Sequence, residues 1–224
     1  MDYPINHIFQ TIQGEGYFTG VPAIFIRLQG CPVGCSWCDT KHTWAKSKQL
    51  QRPLSVILTK KIENEEWATC SAEQLIGLFE QKNYTARHVV ITGGEPCLYD
   101  LNELTHSLEK KGYRCQIETS GTHNIYCSDK TWVTVSPKVV MRGGFSILPA
   151  ALNRVNEIKH PVGRQKDIDA LDCLINQLEA NHPLPQICLQ PISQKAKATQ
   201  LCIDTCIKRN WRLSVQMHKY LDIA

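Results

Sequence analysis

Short apolar, β-rich runs recur along the chain and alternate with stretches of helical period. The runs are PAIFIRL (22–28), RHVVIT (87–92), YRCQIE (113–118), TWVTVS (131–136), RVNEIK (154–159), PQICLQ (185–190) and RLSVQM (212–217). Between them, SAEQLIGLFEQ opens with Ser71 and has Gln74 at the capping-box position. LNELTHSLEKK sets Leu101, Leu104 and Leu108 on one face, and DIDALDCLINQLE and KATQLCIDTCIKRN have the same period. Strand, helix, strand repetition marks a parallel α/β sheet or barrel. Roughly six or seven strands leave an eight-stranded barrel one or two units short. The predicted fold is therefore α/β, a partial, incomplete parallel β/α barrel. Residues 45–69, AKSKQLQRPLSVILTKKIENEEWAT, break the rhythm and read as an insertion that covers one face or serves a partner. With no internal repeat and no low-complexity tract, 1–224 is expected to form one domain.

A net charge of +4, from 25 basic and 21 acidic residues, is too mild to argue for direct nucleic-acid binding. No apolar run approaches a membrane span, and MDYPINHIFQ lacks the regions of a secretory signal. The 11 cysteines are odd in number. Together these features predict a reducing cytoplasm, with most cysteines as small buried hydrophobes, Cys115 and Cys188 among them.

Cys31, Cys35 and Cys38 differ, because they crowd into one loop after the first barrel strand, GCPVGCSWCDT. Two metals compete for them. Zinc takes four closed ligands, and His42, four residues after Cys38, completes a Cys3His set. A [4Fe–4S] cluster also takes thiolates, and three of them leave one iron open to a substrate or cofactor.

The Cys-x3-Cys-x2-Cys spacing, with Trp37 before the last cysteine, resembles the radical S-adenosylmethionine (SAM) superfamily. That resemblance implies a reduced cluster that cleaves SAM to methionine and a 5′-deoxyadenosyl radical, which takes a hydrogen atom from a substrate in the barrel. TGGEP (92–96) is similar to the superfamily's segment for the methionine amino group, and its glycines let backbone approach a ligand closely. ETSGT (118–122), SPK (136–138), NEIK (156–159) and QPIS (190–193) put small polar groups after successive strands, where barrels build active sites. Zinc leaves all of these unexplained.

The run FQTIQGEGYFTGVPAIFIRLQGCPVGCSWCDT (9–40), with VVITGGEPCLYDL, QIETSGT, SPK and HKYL, resembles the 7-carboxy-7-deazaguanine synthase family over essentially the whole chain, in its bacterial branch with an insertion. The resemblance implies ring contraction of 6-carboxy-5,6,7,8-tetrahydropterin to 7-carboxy-7-deazaguanine with loss of ammonia, for queuosine synthesis. It implies Mg2+, a homodimer and a flavodoxin-like electron donor. It implies that Cys31, Cys35 and Cys38 ligate the cluster and that Thr40 gives an oxygen to Mg2+. Trp37, Cys38, Asp39, Gly94, Ser136, Pro137, Lys138, Gln190, Pro191, Ile192 and Ser193 are then the SAM site, and Ile12, Gln13, Gly14, Arg27 and Thr92 touch the pterin. Arg27 suits a carboxylate, which its planar fork can grip twice. Glu15 suits the guanidine-like edge of the pterin. His218, read as a strand end, and the carboxylate of Ala224 are expected to fold back over the barrel mouth. A glycyl-radical activase shares the cysteine spacing but gives no reason for QGEG ahead of the strand.

Overall fold

The computed structural model describes residues 1–138, 141–179 and 182–221. Among the described residues, nine strands form one sheet in the order β3-β1-β2-β4-β5-β6-β7-β8-β9. β2 (Pro22–Leu28), β4 (His88–Gly93), β5 (Arg114–Thr119), β6 (Trp132–Val135), β7 (Glu157–Val162), β8 (Gln186–Pro191) and β9 (Arg212–Leu213) run parallel. β1 (Asp2–Ile12) and β3 (Ala68–Ser71) join antiparallel at the β2 edge. The sheet is an open, partial barrel.

Period-two alternation explains how one strand serves two layers. On β2, Ile24, Ile26 and Leu28 enter the core, while Phe25 and Arg27 face the cavity. α2 (Ala72–Gln81) and α3 (Asn102–Lys110) cover the outer face of the first strands. The Ser71–Gln74 capping box forms in both directions and starts α2. Leu75 and Phe79 of α2 and Leu104 and Leu108 of α3 are fully buried, each worth roughly 1.5–3 kcal/mol of transfer free energy. α4 (Pro149–Leu152) leads into β7, and α5 (Gln165–Ile175) and α6 (Ala196–Arg209) pack a second cluster against β6–β8. Cys115 and Cys188 are core residues, whereas Cys173 is exposed.

Three expectations need correction. The strand expected at 154–159 begins at Glu157, because the chain is still leaving α4 through 153–156, where Val155 is buried in the core and the Asn156 side chain accepts from Val133 N–H. RLSVQM contributes only Arg212 and Leu213 to the sheet; from Ser214 the chain turns inward, and His218 lies in a short 3-10 helix, not at a strand end. β1 and β3 were not expected as strands at all. Residues 45–69 include α1 (Leu54–Leu58), and their last two, Ala68 and Thr69, already belong to β3 on the outer edge of β1.

Candidate active site

The parallel strands and the loops at their ends enclose a cavity of about 830 Å³, in the size range of small-molecule sites. Its floor is the loop 13–21 between β1 and β2. Tyr17 stacks on Trp132, while Phe18 meets Trp132 edge-on and packs tilted against His88; Trp132 and His88 open β6 and β4. Gly16 is required there: its φ is +70°, and a Cβ would lie 2.2 Å from a Glu157 carboxylate oxygen. That buried carboxylate accepts from Tyr17 N–H, Trp132 Nε1 and Thr134 Oγ1.

Above the floor, Lys159 Nζ donates to Glu15 at 2.6 Å and Glu118 at 2.9 Å. Glu118 also accepts from Gln13, and Glu15 from Gln216. Burial alone would raise the Glu15 pKa, but Lys159 and the Gln216 amide outweigh it and hold the carboxyl at about 2. Burial would lower the Lys159 pKa, but the charges of Glu118 and Glu15 outweigh it and raise the pKa well above the ordinary lysine value.

The cysteine loop forms one wall. The buried Gln29 side chain anchors it, donating to the His42 and Ala45 carbonyls and accepting from Asn6. Cys31 N–H donates to the Trp44 carbonyl. Burial pushes the Cys31 thiol up to about 11 and raises the Cys35 thiol too. Thr40 Oγ1 lies 3.6 Å from Cys38 Sγ and 3.3 Å from the Gly93 carbonyl. TGGEP runs tight against this loop: a Cβ on Gly94 would stand 2.1 Å from the Gly30 carbonyl oxygen. The close backbone approach that needs glycine here is therefore to the protein's own chain. Glu95 turns inward, where both carboxylate oxygens accept from Cys97 N–H, Thr119 and Ser120.

The donor set fits a cluster. Cys31, Cys35 and Cys38 together line the cavity, and thiolates are the donors an iron–sulfur cluster takes. His42, the fourth ligand on the zinc reading, has Nδ1 turned to Glu63 at 3.8 Å.

Nearly all the expected site residues line this one cavity: Ile12, Gln13, Gly14, Glu15, Arg27, Trp37, Asp39, Thr40, Thr92, Gly94, Ser136, Lys138, Gln190, Pro191, Ile192, Ser193 and His218. Pro137 is buried beside them without lining it. Ala224 lies outside the described residues. Lys138 Nζ donates to Ser136 at 2.7 Å. Sequence reasoning reached Glu95, Glu118 and Lys159 only as parts of the strand-end motifs TGGEP, ETSGT and NEIK, and missed Phe9, Phe25, Glu63, Gln216 and Lys219. For Glu118 and Lys159 a signal existed: polar residues two apart, Gln116 with Glu118 and Glu157 with Lys159, share one face of their strands, alternating with the core residues Cys115, Ile117 and Ile158.

An open parallel barrel whose first parallel strand feeds a three-cysteine loop into a central cavity defines a radical SAM enzyme. The Radical SAM superfamily model matches residues 25–130. The chain is 64% identical to 7-carboxy-7-deazaguanine synthase of Escherichia coli strain K12 over 224 residues, covering all of both chains. It is 52% identical to the enzyme of that name from Buchnera aphidicola over 223 residues, again covering both fully. The crystal structure of QueE from Escherichia coli superposes with a TM-score of 0.94 at 63% identity, over 96% of this chain and 94% of that one. The chain belongs to the 7-carboxy-7-deazaguanine synthase family. A [4Fe–4S] cluster and SAM are the cofactors of such an enzyme. Among the described residues no helix is long and apolar enough to cross a membrane.

Proposed function

We propose that this cavity contracts the ring of 6-carboxy-5,6,7,8-tetrahydropterin to 7-carboxy-7-deazaguanine, with release of ammonia, in queuosine biosynthesis. The observation that carries the reading is the joint lining of one cavity by Cys31, Cys35 and Cys38, by the Arg27 guanidinium, and by the Glu15–Lys159–Glu118 network. The three cysteines would hold the cluster. When bound, the cluster and SAM supply one-electron reduction and hydrogen-atom abstraction. Trp37, Asp39, Gly94, Ser136, Lys138 and the 190–193 turn are the candidate SAM wall. Arg27 would pair with the substrate carboxylate through two parallel N–H bonds. Glu15 and Glu118 are acceptors for the amino-pyrimidine edge of the pterin, and Lys159 donates to both, holding the Glu15 carboxyl well below the usual carboxylate range. Gln13 holds Glu118 in place. His218 stands at the rim beside Gly14 and would close over the ligand.

Mg2+ belongs to the same reading. It takes few protein ligands and leans on substrate oxygens and water, and Thr40 offers a hydroxyl oxygen beside the thiol wall. The family reading also brings a homodimer, a flavodoxin-like electron donor and a cytoplasmic setting.

The test is anaerobic turnover by protein reconstituted with iron and sulfide, with mass analysis of the product and of ammonia. Thr40→Val conserves shape and removes the oxygen, so it should retain the cluster and raise the Mg2+ requirement by about tenfold or more, the size of one lost ligand interaction. A wild-type Mg2+ response in Thr40→Val would put the ion elsewhere.

A further inference from the structure

The segment after the cysteine loop brings a carboxylate of the protein's own to the guanidinium that the proposed reading gives to the substrate. Arg27 Nη1 pairs with Glu63 Oε1, and both residues line the cavity. The guanidinium also lies 4.9 Å over the Phe9 ring, so aromatic face and carboxylate together satisfy a charge whose side chain is only 18% exposed. The other oxygen of Glu63 faces His42 Nδ1 at 3.8 Å.

The backbone around Glu63 is tied down. Lys60 Nζ donates to Asn6 Oδ1 and to the carbonyls of Asn64 and Glu66. Asn6 Nδ2 donates to the same two carbonyls, and Arg52 Nε donates to the Glu66 carboxylate at 2.8 Å. The Glu63 side chain itself is 48% exposed. A fixed base with a half-exposed carboxylate tip is a tethered ligand: it returns to Arg27 at high effective concentration whenever the seat empties.

We propose that Glu63 is an intramolecular competitor for Arg27, which substrate and product must each displace. This rests on the reading of Arg27 as the seat of the substrate carboxylate. Both the tetrahydropterin substrate and the 7-deazaguanine product carry a carboxylate, so Arg27 alone would hold the product as firmly as it captures the substrate. A tethered carboxylate weakens both by the same factor and keeps the guanidinium paired between turnovers, which assists release of a product the site would otherwise retain. Ligands without a carboxylate leave the Arg27–Glu63 pair intact and do not feel it.

The test is equilibrium binding to the cluster-loaded enzyme with SAM, the cluster left oxidised so that no turnover occurs. The probes are 6-carboxy-5,6,7,8-tetrahydropterin, 7-carboxy-7-deazaguanine and unsubstituted tetrahydropterin. Glu63→Gln should tighten both carboxylated ligands about two- to fivefold, the range of a partly exposed ion pair, and leave the unsubstituted pterin unchanged. Arg27→Gln should weaken the carboxylated pair, and Glu63→Gln should then add nothing, as a double-mutant cycle of one shared contact requires. Unchanged affinities in Glu63→Gln, with Arg27→Gln still weakened, would reduce the contact to a tie of the insertion and overturn the proposal. Equal tightening of the unsubstituted pterin would mean that Glu63 obstructs space and does not compete for charge. Full affinity in Arg27→Gln would overturn the assignment of Arg27 itself, and the proposal with it.

Discussion

At the cavity floor, Lys159 Nζ stands between Glu15 and Glu118 with its side chain only 5% exposed. Neither carboxylate has another cationic partner within salt-bridge distance among the described residues. Removing the amine leaves two enclosed anions facing each other, and losing one partner of a buried ion pair costs roughly 3–5 kcal/mol. Lys159→Met is therefore expected to lose most of its thermal stability, and Lys159→Met combined with Glu118→Gln to recover part of the loss. Thermal unfolding followed by circular dichroism checks both. If the double variant were less stable than the single, the charge argument would be wrong. The residue scale is also where the sequence spoke least. Glu63, Gln216 and Lys219 enter the cavity from distant segments, and nothing local to each predicts that meeting. Arg27 could be named from its chemistry, but its actual partner Glu63 is 36 positions away.

At the scale of elements, the inner-face strands and their helices were legible because hydrophobic period two and period 3.6 are local properties. PAIFIRL is β2 residue for residue, and the Ser71 capping box starts α2 where expected. β1 was missed because Asn6, His7 and Gln10 interrupt its apolar run; Asn6 donates to the Asn64 and Glu66 carbonyls, and Gln10 accepts from the Thr85 and Ala86 N–H groups. β9 was overread because an apolar run continues past the point where pairing stops. In the floor loop only Gln13, Gly14 and Glu15 were read, as ligand-facing, whereas Gly16, Tyr17 and Phe18 beyond them serve the barrel. Gly16 carries this further: a side chain there meets both a positive φ and the Glu157 carboxylate. Gly16→Ala should cost roughly 1–3 kcal/mol and disturb Tyr17 against Trp132, read as a lower unfolding midpoint and a shift in tryptophan emission. A variant of wild-type midpoint would show that the floor yields without strain.

For the whole molecule, the α/β class and incomplete barrel followed from counting strands, and the cluster loop from one short spacing; the pairing of Lys159 with Glu15 and Glu118 depends on the curvature of the sheet that brings β1, β5 and β7 around one cavity, and no single segment shows it. Stability should depend on pH in a direction the buried histidines set. His7 is held down at about 4, first by burial and then by the charges of Arg27 and Lys60, and burial lowers His42, His88 and His160 too. With a folded pKa below the ordinary 6.5, the unfolded chain binds more protons between the two values. The contribution of neutral His7 is then complete above about 6.5 and is lost as pH falls toward 4. Unfolding midpoints should drop between pH 7.5 and 5, and His7→Phe should shrink that drop. A midpoint independent of pH over this range would contradict the assignment.

The central claim is that the thiol wall and the Arg27 seat serve one reaction on one molecule in one cavity. Substrate deuterated at the saturated ring carbons, given to the reduced, four-iron enzyme with SAM, tests it most directly. The account predicts 7-carboxy-7-deazaguanine as product, with deuterium recovered in 5′-deoxyadenosine or in SAM re-formed from it. Cleavage of SAM without deuterium transfer, with the pterin returned unchanged, would contradict it.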